Sequence, residues 1–95
     1  MQVIWTEKAT NDYLSNIEYL LRKWSQESAS NFIDEVDSIL ELLIVNPDAF
    51  PKTDYLEIRK VVIRKQISLF YKIVDDNIYI LRLWNTYQNP ESISF

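Results

Sequence analysis

Apolar residues recur along this chain at two different periods, and the change from one to the other divides it in two. Tyr13, Leu14, Ile17, Leu20, Leu21 and Trp24 fall at the spacing of one helical face. Asp12, Asn16, Glu18, Arg22 and Lys23 fill the remainder. Thr6 is a suitable N-cap, so the pattern predicts a helix from about Glu7 to Trp24. Ser25-Gln26-Glu27-Ser28 interrupts it with further cap residues. A second stripe follows in Ala29, Phe32, Ile33, Val36, Ile39, Leu40, Leu43 and Ile44. Asn46-Pro47 ends that helix, because proline cannot continue one and biases its predecessor away from helical geometry. Two long amphipathic helices with a short connection predict an antiparallel hairpin.

Beyond the loop Pro47–Leu56 the period drops to two. Ile58–Ile63, Ile67–Val74 and Ile78–Trp84 are dense in β-branched and aromatic residues and read as strands, as does Gln2–Trp5 at the start. Arg64-Lys65-Gln66 turns the chain between the first pair of later strands, and Asp75-Asp76-Asn77 between the second. The chain has no glycine, and Asp and Asn are the next residues best able to hold positive φ in a tight hairpin. After Asn89-Pro90 the tail is predicted as a helical turn or a mobile end. The resulting order is β-α-α-β-β-β, an α+β fold with a helical hairpin packed on one face of a mainly antiparallel sheet.

A chain of 95 residues suits one domain spanning 1–95. No run approaches the roughly 18 apolar residues of a membrane span, and the start lacks the pattern of a secretory signal. Without cysteine there is no disulfide, so a cytoplasmic setting is the expectation. The absence of His and Cys also excludes the usual zinc sites, catalytic triads and imidazole bases. Glycine-rich phosphate loops are excluded in their usual forms, and no cofactor is expected.

Net charge is −4 but unevenly placed. Residues 1–50 carry three basic and nine acidic residues, whereas 51–95 carry seven basic and five acidic. Between Ile58 and Val74 stand Arg59, Lys60, Arg64, Lys65 and Lys72 without one acid, a stripe expected to meet a localised anionic target. Asp34, Asp37 and Glu41 share a helix face at i, i+3, i+7, but nothing accompanies them that would make a calcium loop. They read as a solvated face, and no metal is expected.

Trp5-Thr6-Glu7-Lys8-Ala9, Ile17-Glu18-Tyr19-Leu20, Asn46-Pro47, Phe50-Pro51, Ile58-Arg59-Lys60, Leu69-Phe70-Tyr71-Lys72-Ile73, Ile78-Tyr79-Ile80-Leu81-Arg82 and Asn89-Pro90 occur in that order. Together they resemble the RelE/ParE superfamily of toxins from type II toxin–antitoxin systems. None of these pieces is specific alone; their succession over nearly the whole chain carries the resemblance. It implies a growth inhibitor neutralised by a cognate antitoxin. The antitoxin would lay a helix along the hairpin or add a strand to an open sheet edge, and a homodimer or toxin–antitoxin hetero-oligomer is compatible with either.

The superfamily has two activities on one scaffold. RelE-like members cut mRNA in the ribosome and need acid/base groups with cations to stabilise the phosphate. ParE-like members poison DNA gyrase and need no catalytic residue. For cleavage the chain offers Arg59, Arg82 and Tyr87, and for target binding Arg59, Lys60, Arg64, Lys65 and Lys72. The bland alternative is a solvated basic strand face with Tyr87 covering the end of the core. Many RelE-like members carry His or Arg after the last strand. Here Asn85-Thr86-Tyr87-Gln88 stands instead, and the chain is acidic overall, so the balance inclines to ParE. Trp5, Trp24, Phe32, Phe70 and Tyr71 sit at core spacing, whereas Trp84 at a strand end could line a groove.

Overall fold

The computed structural model describes all residues from Met1 to Phe95. The elements are β1 (Val3–Trp5), α1 (Glu7–Lys23), α2 (Gln26–Val45), β2 (Arg59–Arg64), β3 (Ile67–Val74) and β4 (Asn77–Asn85). They form one sheet in the order β1-β4-β3-β2, with both helices on one face. β2–β3 and β3–β4 pair antiparallel, whereas β1 runs parallel to β4. The predicted element order holds, and the sheet is mixed because β1, separated from β4 by the helical hairpin and two strands, joins it in parallel.

Local chemistry accounts for the boundaries. Thr6 and Ser25 cap the two helices, accepting from the N–H groups of Ala9 (3.1 Å) and Ser28 (3.0 Å). Asp75 and Asp76 take φ of 50° and 66° in the two-residue β3–β4 turn, which a tight hairpin with right-handed strand twist demands. Leu56 and Glu57 also have positive φ, 45° and 63°, which no sequence signal foretold. Leucine rarely enters that region because its Cβ crowds the following carbonyl.

Ala9 and Leu20 from α1 join Phe32, Val36 and Leu43 from α2 above Val61, Ile67, Leu69, Tyr71, Ile78, Ile80 and Leu83 of the sheet. The buried face of α1 is not centred on its apolar stripe. It lies roughly 60° away, at 3.6 residues per turn, on the side of Asn16. Leu14 (58% exposed) and Leu21 (50%) are consequently left at the surface.

The reason lies at the edge of β4. β1 pairs only with Ile78–Ile80, so beyond that point β4 has no strand on the side away from β3. Side chains around the start of α1 take its place. The Thr6 hydroxyl donates to the Ile80 carbonyl (2.9 Å), an Asp12 carboxylate oxygen accepts from the Leu83 N–H (3.0 Å), and the Asn16 amide donates to the Leu83 carbonyl (3.0 Å). Asn85 donates in turn to Asn16 Oδ1 (2.9 Å). Asn16 and Asn85 are the buried polar residues of the chain, and none of their side-chain polar atoms lacks a partner. Leaving that buried edge unpaired would cost more than placing Leu14 and Leu21 in water.

Three expectations are corrected. Trp24 was expected in the core but is 68% exposed, because α1 ends at Lys23 and Trp24 adopts φ −124°, ψ −93° at the corner, which swings its ring off the stripe. Tyr87, 61% exposed, does not cover the end of the core. The tail is neither helical nor loose: Ile93–Phe95 lies back against the sheet face opposite the helices, where Phe95 packs on Phe70. Phe32 and Tyr71 are buried as expected. Trp5 packs at the margin of the core, and Phe70 is buried beneath the tail rather than within the main core.

Asn16→Ala orphans both the Leu83 carbonyl and the Asn85 amide, and is expected to lower unfolding free energy by about 2–4 kcal/mol. Urea denaturation of the variant checks this; an unchanged midpoint would remove the edge-closing role. Burial raises the Tyr71 phenol above its ordinary 10.0, with Arg59 pulling the other way. Burial, then the charge of Asp37, raises that of Tyr13. The folded state therefore holds both protons more tightly than the unfolded chain. The associated stability is complete below pH about 10 and is lost as pH rises through the raised values. Ultraviolet titration of the parent against Tyr13→Phe and Tyr71→Phe should show each of these two phenols ionising above its ordinary 10.0.

Candidate functional site

Strand alternation sorts the basic stripe by direction. Val61 points into the core, so Arg59 on the same side faces the helical layer, and Lys60 points to the opposite, outer face. The register shift between Val62 and Arg64 also carries Arg64 to the helical side. Lys72 lies on the outer face beside Tyr79, and Lys65 is exposed in the β2–β3 turn.

Each arginine is engaged within the molecule. Arg59 donates to the Phe50 carbonyl (2.6 Å) and to Asp48 Oδ1 (3.1 Å), holding the loop that leaves α2; its side chain is 15% exposed. The Tyr71 hydroxyl reinforces this by donating to the Pro47 carbonyl (2.7 Å). Arg64 donates to Glu35 (3.0 Å), to the Ser28 hydroxyl (3.0 Å) and to the Ser28 carbonyl (3.1 Å), and lies over the Phe32 ring. Arg82 makes a two-pronged pair with Asp12, at 2.7 and 2.9 Å, in which both side chains are almost out of solvent. Hydrogen bonding to Asp12 raises its pKa further, against the opposing effect of burial. Its guanidinium also stacks on Trp84 at 4.7 Å.

Arg59, Arg64 and Arg82 thus join the helical layer to the sheet, while Lys60, Lys65 and Lys72 of the expected stripe stay exposed or on the outer face. The fold does not gather Arg59, Arg82 and Tyr87 into one centre. Arg59 stands opposite Tyr71 and shares its helical side, whereas Arg82 stands opposite Phe70 on the outer side. The exposed Tyr87 has no cation against its ring or hydroxyl.

What the outer face presents is cationic and aromatic. Lys60, Phe70 and Arg82 form one row across three strands, with the Lys60 ammonium 5.8 Å from the Phe70 ring centre. Val62, Ser68 and Trp84 form the next row. Phe95 and Tyr55, which sequence periodicity could not place because both lie outside the regular elements, complete the surface. The opposite layer differs in charge: α2 carries Glu27, Asp34, Glu35, Asp37 and Glu41 and no base. Asp34 and Glu35, with Ile39, Val62 and Ile63, line a groove of about 510 Å³ between α2 and the open edge strand β2. A second groove, about 620 Å³, runs between the helices over Ile17, Leu21, Ala29 and Ile33.

A helical hairpin on a four-stranded mixed sheet, with a charged outer face and β2 at one edge, is the α+β fold that the resemblance implied. The model of the ParE toxin of type II toxin–antitoxin systems (parDE) matches residues 3–90, and the chain belongs to that family. Among solved structures, a chain of the chromosomal ParDE toxin–antitoxin system from P. aeruginosa superposes with TM-score 0.75 at 19% identity, covering 90% of this chain and 95% of that one. The YoeB/ParE toxin from Agrobacterium tumefaciens follows at 0.66 and 14%, covering 90% and 98%. A chain of the heterotetrameric YoeB–YefM complex from Staphylococcus aureus reaches 0.61 at 15%, covering 86% and 92%. At such identities the likeness is one of fold. No curated protein matches the sequence. No helix is long and apolar enough to cross a membrane.

Arg82→Ala should lower unfolding free energy by about 3–5 kcal/mol, because it strands Asp12 as an unpaired buried charge. Lys60→Ala should change it by no more than about 0.5 kcal/mol. Denaturant unfolding of both variants separates these outcomes. An Arg82→Ala protein as stable as its parent would mark Arg82 as a free functional group instead.

Proposed function

We propose that this toxin acts in the ParE manner, by binding DNA gyrase without chemistry of its own, and that a cognate antitoxin neutralises it. One observation carries the reading: the arginines suited to stabilising a cleaved phosphate are held in structural ion pairs and lie on opposite faces of the sheet. An acid/base mechanism needs its groups within hydrogen-bond reach of one reacting centre. Target contact then falls to Lys60, Lys65 and Lys72, with Arg59 and Arg64 shaping the surface from beneath.

The acidic α2 and the two grooves suit an antitoxin segment that is basic and amphipathic. The first residues of β2 are bridged by Lys52, and the edge beyond Lys60 would accept an added strand. The structural relatives from P. aeruginosa and S. aureus come from a toxin–antitoxin system and a toxin–antitoxin complex, which supports this partner class.

A second reading, ribosome-dependent mRNA cleavage, draws support from the outer face, where cations alternate with aromatic rings as in surfaces that stack bases. Induction in the native host with DNA-damage and translation reporters read together decides between them. The expected result is growth arrest with the damage reporter rising and translated mRNA intact, relieved by the antitoxin. Fragmented mRNA without a damage signal would transfer the assignment to the nuclease reading. Unaffected growth would leave only antitoxin binding.

A further inference from the structure

Phe70 points away from the helices, yet only 8% of it is exposed. The tail helps to cover it. The Phe95 ring meets Phe70 edge-on at 5.4 Å and stacks on Tyr55 at 5.8 Å with 19° between the planes. Two cations from different elements hold the adjoining main chain: Arg82 Nη1 donates to the Ser94 carbonyl (2.6 Å) and Lys8 Nζ to the Phe95 carbonyl (3.2 Å). The slot thus takes one aromatic side chain between two rings and two consecutive carbonyls of an extended chain. That combination is how a peptide is recognised: main-chain hydrogen bonds for affinity, a side-chain pocket for selection.

The receiving side is organised in advance. Arg82 is already fixed by Asp12. Tyr55 stands on a loop braced by its own N–H donating to the Thr53 hydroxyl (3.2 Å) and by the Lys52–Glu57 ion pair, ahead of Leu56 and Glu57 in left-handed geometry. The occupying side is not. Past Asn89, no backbone N–H from 90 to 95 bonds to another backbone group outside the named elements, and the tail is held by the contacts just described. A receiving surface braced by its own contacts, filled by a segment tied only through its last residues, is the arrangement of a site that can exchange occupants.

We propose that the cleft between Tyr55 and Phe70 is a peptide-binding site, filled in cis by residues 93–95. Its trans ligand is an extended segment of a partner protein bearing an aromatic side chain. The tether gives the tail a high effective concentration, so it acts as a competitor that a trans peptide must displace. The inference does not depend on which macromolecule the toxin poisons, since it is read from binding alone.

The probe is a fluorescent acetyl-Ser-Ile-Ser-Phe-amide peptide, titrated by polarisation against the full chain and against Phe95→Ala. Emptying the slot should tighten peptide binding by about tenfold or more. Tyr55→Ala added to Phe95→Ala should abolish that gain, as should replacing the peptide's Phe by Ala. Equal affinity of the parent and Phe95→Ala would overturn the proposal, and so would indifference to Tyr55→Ala. The cis half is checked without any variant: nuclear Overhauser contacts between the Phe95 and Phe70 rings are expected in the unaltered chain, and their absence would also overturn it.

Discussion

The arrangement of this molecule depends on closing the part of β4 that β1 is too short to reach. A strand edge facing a protein interior must find partners for its N–H and C=O groups, and here Thr6, Asp12 and Asn16 supply them. That requirement sets the rotation of α1, because the helix must bring its polar residues rather than its most apolar stripe against the sheet. Asp12 serves twice, accepting from the Leu83 backbone and from Arg82. The N-terminal strand, the first helix and the last strand are thereby joined at one edge.

The arginines serve the same end. Arg59 secures the exit of α2, Arg64 its opening turns, and Arg82 the start of α1. A guanidinium suits this work better than an ammonium, since its planar fork satisfies several acceptors at once. Lys60, Lys65 and Lys72 are left to solvent or to the outer face, where a flexible, well-hydrated charge is easily accommodated. The chain thus divides most of its cations between holding the fold and standing in solvent.

The two faces of this molecule carry different chemistry. The outer face of the sheet is a mixed surface of Lys60, Lys72, Phe70 and Trp84, part of it beneath the tail. The helical face is acidic and grooved. The two sides therefore differ in charge and shape.

The two periods of hydrophobicity, Thr6 and Ser25 as caps, Asn46-Pro47 as a stop and Asp75-Asp76 as a tight turn were legible in the sequence because they are properties of neighbouring residues. The element order and the layering followed from them. Even the presence of a basic stripe could be read, since it lies within seventeen consecutive residues from Ile58 to Val74. Its use could not. Whether an arginine meets an acid seventy positions away, as Arg82 meets Asp12, depends on which strands become neighbours and on where a bulge shifts the register. The exposure of Leu14, Leu21 and Trp24, the pairing of Asn16 with Asn85 and the return of Phe95 onto Phe70 were likewise decided in three dimensions. A periodic pattern specifies a face, but the rotation of that face is chosen by the backbone groups it has to satisfy.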